Sequence, residues 1–348
     1  MKNILVLGAG MVSRPGIHYL LQNPDFQITV ADINPHDARE LIAGYDNGKA
    51  CSLDVNDKEN LSRLIGANEI VVSLLPWVFH MKAARLCIEK KKHLVTASYV
   101  SKEMRQFGHE VKAKKLLFLN EIGADPGIDH MSAKKIIDEI HENNGKILHY
   151  YSYTGGLPAP EDNDNPFGYK FSWNPRGAVM ATKNPARFLE NGRIVEIPAE
   201  KLFLNYRIEH VDGLGTFEVY PNRDSLLYQE LYELHEAQTV VRGTFRYPGW
   251  CETFKAIIDL GLSEEKPVKK GSTLLQMMAD LTDAGANEDI RLKTAKKLGL
   301  SADSKVIQRL SWLGLFRDEP IPEGGTHLDV LIHLLREKLR YQPGEKDM

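Results

Sequence analysis

The first 32 residues constrain this chain more than any other stretch. Ile4-Leu5-Val6-Leu7 is a short apolar run that ends at once in Gly8-Ala9-Gly10, and a second apolar run ends in Ala31-Asp32. A strand, a glycine pair and a second strand closing on an acid form the front half of a dinucleotide-binding βαβ unit. Gly8 permits the tight turn out of the strand. Gly10 keeps side chains away, so that a pyrophosphate can reach the amides at the following helix's N-terminus. Asp32 lies 22 positions after Gly10, where a carboxylate accepts hydrogen bonds from the adenosine ribose hydroxyls. The third glycine of the fingerprint is replaced by Ser13. Gly8, Gly10, Met11, Val12 and Ser13 are expected to line the pyrophosphate turn.

A chain of 348 residues exceeds the size at which single cores stop growing, so two or three domains are expected. With 43% hydrophobic and 26% charged residues the composition is that of a soluble globular protein. A formal net charge of −3 gives no reason to expect nucleic acid or an anionic membrane as partner. No apolar run approaches the length of a membrane span, and the N-terminus lacks the architecture of a signal peptide. Cys51, Cys87 and Cys251 are odd in number and widely spaced. That pattern fits reduced core thiols in a cytoplasmic enzyme better than a disulfide framework or a zinc site. The twelve histidines are scattered without ligand spacing, so no metal is expected.

From residue 1 to about 125 apolar strands alternate with amphipathic stretches. Strand candidates are Ile4–Leu7, Gln27–Ala31, Ala50–Leu53, Glu69–Leu74, His93–Thr96 and Leu116–Leu119, with helical patterns such as Met81–Lys90 and Lys102–Lys114 between them. This alternation predicts a Rossmann-like, doubly wound parallel sheet. A further helix begins at Asp129. The texture then changes. Lys146–Thr154 reads as an aromatic strand, and Gly155–Gly168 is too rich in proline, glycine and acids for a regular element. Flanked by Tyr153 and by Tyr169-Lys170-Phe171-Ser172-Trp173, it is expected to be an ordered substrate-side loop rather than a disordered linker. Short strands such as Phe217–Tyr220 and Thr239–Arg242 follow, and from Trp250 the pattern is helical, as in Phe254–Leu260, Thr273–Leu281 and Leu328–Leu339.

Taken in order, these blocks resemble the saccharopine dehydrogenase family of the glutamate-forming type, also called saccharopine reductase. The matching strings are Ser73-Leu74-Leu75-Pro76 with His80, Ser98-Tyr99-Val100-Ser101, and Asn120 to His130 through Gly123-Ala124-Asp125-Pro126-Gly127. They continue with Gly155-Gly156-Leu157-Pro158-Ala159-Pro160-Glu161-Asp162, Gly168–Trp173, Tyr220-Pro221-Asn222-Arg223-Asp224-Ser225 and Arg242-Gly243-Thr244, and reach Trp312–Phe316. The resemblance implies an NAD(P)-dependent oxidoreductase of lysine metabolism. It would interconvert saccharopine with 2-aminoadipate 6-semialdehyde plus L-glutamate by hydride transfer through an imine. It also implies a dinucleotide-binding domain (1–128), an α+β mixed-sheet substrate and dimerisation domain (129–249), a small helical domain (250–340) and a homodimer. The family commonly continues past the point matching Lys346-Asp347-Met348, so 341–348 reads as a tail truncated before a segment returning to the first domain.

Saccharopine carries three carboxylates and a secondary amine, and arginine matches carboxylates best. Where the resemblance puts the substrate pocket, Arg223 is the favoured clamp, with Arg242 as a second cation and Thr244 as a donor; Arg176 is a weaker candidate. Trp173 is read as a pocket wall. Ser98 and Tyr99 follow a strand at its carboxyl end, the ligand side of an open parallel sheet, with Ser98 as a carboxylate donor. Asp125 holds the corresponding place after the next strand and is read as pairing the substrate ammonium or moving its proton. The general base stays open among Asp125, Tyr99, Lys170 and His80. Leu75 and Pro76 should pass near the nicotinamide ribose. Family members whose second strand ends in Arg-Thr look built for NADP; Asp32 repels a 2′-phosphate, so NAD is expected here, with NADP the alternative. Two other readings stay open: another imine-reducing dehydrogenase of the carboxynorspermidine type, and a catalytically silent dinucleotide-binding or regulatory protein.

Overall fold

In the computed structural model, residues 1–285, 287–321 and 325–348 are described. They fall into two compact units, Met1–Ile136 and Ile137–Met348.

In the first unit the apolar runs become β1 (Lys2–Leu7), β2 (Phe26–Asp32), β3 (Gly48–Ser52), β4 (Ile70–Ser73), β5 (His93–Thr96) and β6 (Phe118–Leu119). They pair in parallel in the order β3-β2-β1-β4-β5-β6. The unbroken apolar character of β1 has a packing reason. Ile4 and Val6 join one core with Ile17, Leu21 and Val30, while Leu5 and Leu7 join another with Leu61, Ile65, Val71 and Leu94. A sheet covered on both faces leaves no polar side for alternation. The helix expected over Lys102–Lys114 is instead two short helices, Lys102–Gln106 and Gly108–Ala113. The break falls at Phe107, immediately before Gly108, a residue that disfavours a helix interior by roughly 1 kcal/mol against alanine.

The second unit holds a mixed sheet of β7 (His149–Thr154), β8 (Ala186–Glu190), β9 (Arg193–Ile197), β10 (Arg207–Val211), β11 (Gly215–Pro221) and β12 (Thr239–Arg246). The order is β10-β11-β12-β8-β9, with β7 parallel to β12 and the other pairings antiparallel. The helices from Trp250 onward do not form a core of their own. Phe254, Ile257, Leu310 and Leu331 share one hydrophobic cluster with Phe217, Tyr220 and Val241 of the sheet. This grouping therefore differs from separate sheet (129–249) and helical (250–340) domains. The expected boundary after 128 also falls at the start of the continuous helix Ile128–Glu142. Among the described residues no helix is long and apolar enough to cross a membrane.

The loop Gly155–Gly168 is ordered, with Leu157, Ala159 and Phe167 buried. Its backbone pairs with the last residues of the chain: Met348 N–H donates to the Leu157 carbonyl at 2.9 Å and Ala159 N–H to that of Lys346 at 3.0 Å. Next to it Lys170, only 3% exposed, holds Glu345 at 2.6 Å and Asp164 at 2.9 Å. Burial alone pulls the Lys170 ammonium down, but the hydrogen bonds to the two carboxylates outweigh it and hold the pKa above the ordinary lysine value. The neutral amine that a lysine base requires is thus disfavoured. A raised folded pKa means that this stabilisation is complete below the ordinary lysine pKa and fades as alkali rises through the folded one. Replacing Lys170 by Met leaves Glu345 without its buried cation, and the expected cost is about 2 kcal/mol, a fall in Tm of roughly 4 °C. Thermal unfolding at neutral pH checks it; an unchanged Tm would make the pair energetically silent.

Candidate active site

The order of the parallel sheet reverses between β1 and β4, and in an open sheet of this kind ligands bind beyond the carboxyl ends of the strands at that switch. Gly8 leaves β1 there with φ of +104°, and a Cβ on it would stand 3.0 Å from the carbonyl oxygen of Leu74. Both the conformation and the space demand glycine. Gly10 differs: no heavy atom lies within 4 Å of where its Cβ would be. The helix Ser13–Leu21 begins after Val12 with no side-chain cap. The Ser13 amide donates to the Gly10 carbonyl at 3.0 Å and Pro15 carries no N–H, which leaves the Arg14 amide in the first turn for an anion. Met11 and Val12 are 63% and 60% exposed, their side chains turned to solvent. These features fit a dinucleotide pyrophosphate over the turn. Ser13 does not face it. The side chain is fully buried and its hydroxyl donates to the Gly10 carbonyl at 2.6 Å. It therefore locks the turn from within, the place where the usual third glycine packs helix on strand.

Asp32 stands at the end of β2. Its Oδ2 accepts from the Ala9 amide at 2.7 Å and its Oδ1 from the Asn34 amide at 2.8 Å. The carboxylate is thereby fixed beside the glycine turn, and each oxygen has a second lone pair for a ribose hydroxyl. At the end of β4, Leu75 is half-buried and Pro76 exposed.

The ends of β5 and β6 carry the next group of candidates. The Glu121 amide donates to the Ser98 carbonyl at 3.2 Å, and the Val100 amide donates to Glu121 Oε1 at 2.9 Å. Knitting the two loops together brings the Tyr99 hydroxyl within 2.5 Å of Asp125 Oδ1, to which it donates. Asp125 sits in a turn closed by Gly123 and Gly127. Gly123 N–H donates to the Pro126 carbonyl at 2.9 Å, and a Cβ on Gly127 would stand 2.1 Å from the Gly123 oxygen. Ser98 meets a buried histidine, His80 Nε2, at 2.7 Å, and the other ring nitrogen lies 2.9 Å from the hydroxyl of Ser73. Burial lowers the His80 imidazole to about 4, which makes it a weak base at neutral pH. Ser73 and Glu121 were not legible as site residues from chemistry alone, although both lie inside the strings that carry the family resemblance.

The remaining candidates belong to the second unit. Arg223 is exposed and adopts a left-handed backbone, φ +56°, which is rare for a side chain of this kind. Its carbonyl accepts from the Arg187 amide at 2.9 Å. Arg242 is buried: Nη1 donates to the Tyr228 hydroxyl at 2.7 Å and the guanidinium lies 4.6 Å from the centre of that ring. Thr244 pairs with Tyr220 across β11 and β12. Arg176 is committed to Asp329 at 2.7 Å and Glu265 at 2.8 Å, which leaves it a structural cation. Trp173 is 41% exposed and its ring edge faces Gly177. Arg246 is not among the residues that the sequence motifs single out. Alternation along β12 puts it on the face of Arg242 and Thr244, where it is 8% exposed and lies 4.9 Å from the Tyr169 ring and 5.1 Å from that of Trp250.

Comparison with known proteins bears directly on this arrangement. The family description "Saccharopine dehydrogenase NADP binding domain" matches residues 4–119, and "Saccharopine dehydrogenase C-terminal domain" matches residues 123–348. The chain is 39% identical to saccharopine dehydrogenase [NADP(+), L-glutamate-forming] of Saccharomyces cerevisiae, over 100% of this chain and 79% of that protein. It is 38% identical to the mitochondrial alpha-aminoadipic semialdehyde synthase of Bos taurus, over 100% of this chain and 38% of that protein. The solved structure of apo saccharopine dehydrogenase (L-Glu forming) from S. cerevisiae superimposes with a TM-score of 0.85 at 36% identity, covering 100% of this chain and 80% of the other.

The turn that presents Asp125 generates a direct expectation. Gly127→Ala forces a methyl group into the Gly123 backbone, and the expected loss is about 3 kcal/mol or more. A denaturation midpoint unchanged from the parent would show that the turn relaxes freely.

Proposed function

This chain belongs to the saccharopine dehydrogenase family, and from that premise we propose that it interconverts saccharopine with 2-aminoadipate 6-semialdehyde and L-glutamate. The observation that carries the reading is the alignment of chemistry along one sheet edge, from the uncapped glycine turn and Asp32 to Ser98 and the Tyr99–Asp125 pair. A nicotinamide dinucleotide bound there supplies the redox chemistry, taking a hydride from the substrate carbon in one direction and returning it in the other. The chain's own residues bind and handle protons. Asp125, backed by the Tyr99 hydroxyl, is suited to face the secondary ammonium and accept its proton, with the phenol as a relay. Water then adds to the substrate imine, and collapse of the carbinolamine releases aldehyde and glutamate. Ser98 is assigned to a substrate carboxylate; in the second unit, Arg223 keeps the carboxylate-clamp role that the family resemblance implies. Thr244 serves as a donor, Trp173 as a wall, and Leu75 and Pro76 border the ribose. Lys170 is assigned no proton transfer, because its carboxylate partners favour the ammonium.

For the finer cofactor identity we favour NAD. The curated fungal relatives and the family description matching residues 4–119 are named for NADP, which favours that cofactor. What supports NAD is the Asp32 carboxylate at the end of β2, anchored by the amides of Ala9 and Asn34, whose charge repels a 2′-phosphate. A homodimer in the cytoplasm completes the proposal. The family resemblance supports the homodimer, and the buried thiols of Cys87 and Cys251 support a reducing compartment.

Purified protein supplied with NADH, the semialdehyde and glutamate is expected to oxidise the cofactor steadily, measured by the loss of nicotinamide absorbance. Cofactor binding without oxidation of either NADH or NADPH would defeat the assignment. Asp32→Ala is expected to narrow the preference for NADH over NADPH by about tenfold in kcat/KM, the equivalent of one charged contact. Discrimination identical to that of the parent would remove Asp32 from that role.

A further inference from the structure

We propose that His80 is a positioning residue that fixes the direction of the Ser98 hydroxyl, so that Ser98 donates its hydrogen to a carboxylate oxygen of the substrate. The proposal rests on the reading of Ser98 as a substrate contact and assigns that contact its polarity.

The argument is one of hydrogen-bond accounting. Ser73, at the end of β4, is fully buried, and among the described residues its hydroxyl has a single partner, His80 Nδ1 at 2.9 Å. A hydroxyl hydrogen buried without an acceptor is costly, so Ser73 must donate to that nitrogen. Nδ1 is then bare, and a neutral imidazole carries its one hydrogen on Nε2. Nε2 lies 2.7 Å from Ser98 Oγ, so the ring donates to that oxygen. The Ser98 hydrogen cannot also point at the ring and is turned elsewhere, at the half-buried carboxyl end of β5. Thr96, also buried, has its Oγ1 3.5 Å from Nδ1 and 3.3 Å from Nε2 and accepts from the Ser98 amide at 3.3 Å; with the ring proton on Nε2, its own hydrogen turns to the bare Nδ1 that Ser73 also faces.

Two further features keep the relay in this state. His80 is 5% exposed and is the first residue of the helix His80–Lys90. Desolvation and the positive end of the helix both oppose a second proton on the ring. An imidazolium would donate from both nitrogens and strand the Ser73 hydrogen. A serine alone can donate or accept. Behind His80 it favours an acceptor oxygen, such as a carboxylate, and disfavours an ammonium.

The test combines kinetics with a readout that needs no turnover. His80→Leu and Ser98→Ala are each expected to raise the KM for saccharopine by about 10- to 100-fold, the value of a hydrogen bond to a charged group. The dissociation constant for NADH should stay within about twofold, and the double variant should be no worse than the poorer single one, because both act through one hydroxyl. His80→Gln, which can accept from Ser73 and donate to Ser98, should recover most of the lost affinity. Nitrogen-15 spectra of histidine-labelled protein, with His80 assigned by its absence in His80→Gln, should show the proton on Nε2. A proton on Nδ1, or additive losses in the double variant, overturns the proposal. A parent protein that turns over no saccharopine defeats the functional reading instead, while the tautomer still decides the relay.

Discussion

The ligand edge of this protein depends on the close approach of two strand ends. Gly8, leaving β1, passes so near the Leu74 carbonyl at the end of β4 that a methyl group there would stand 3.0 Å from the oxygen. That approach occurs where the sheet order reverses, and each neighbouring strand end is tied to it in turn. Asp32 joins β2 to the glycine turn through the Ala9 amide. Ser73, His80 and Ser98 join β4 to β5, and Glu121 and Asp125 join β5 to the loop after β6. The candidate residues of the first unit are therefore neighbours along one hydrogen-bonded seam, so a group on one loop is held by the next.

The second unit handles charge differently. Three of its cations, Arg242, Arg246 and Lys170, are buried against aromatic rings or carboxylates rather than left in water. Arg246 lies among Tyr169, Tyr220 and Trp250, and Lys170 lies between Glu345 and Asp164. Glu218, also buried, accepts from the amides of Gly249 and Cys251 at the start of a helix, and Arg309 donates to the Gly249 carbonyl. A buried charge without partners is strongly penalised, so these groups constrain which rotamers and loop paths the unit tolerates.

Much of the parallel sheet could be read from the chain because its signals are local. Apolar runs, a glycine pair and an acid at the right distance need no knowledge of distant contacts. The split of Lys102–Lys114 at Phe107 is the main local departure, and Gly108, next to the break, is the one weak helix former there. The site was legible in part. Asp125 and Tyr99 stand in strings that mark the family, and the loops do bring them together. Ser13 was misread because a serine in the fingerprint looks like a ligand contact until its hydroxyl is seen bonded to Gly10. The sequence leaves Lys170 open as one of four base candidates, because the partner that holds its ammonium, Glu345, lies 175 residues further along the chain.

The sequence by itself determined the dinucleotide turn, the acid at the end of β2, the alternation that makes a doubly wound sheet and the family to which the chain belongs. Each follows from steric or periodic rules acting over a few residues. Tertiary structure alone decided the sharing of one core by the mixed sheet and the C-terminal helices, the pairing of the chain's last residues with the Gly155–Gly168 loop, and the tautomer of His80. Those depend on which groups lose water together and which partners remain within reach. That information resides in contacts between segments far apart in the chain, and no local pattern encodes it.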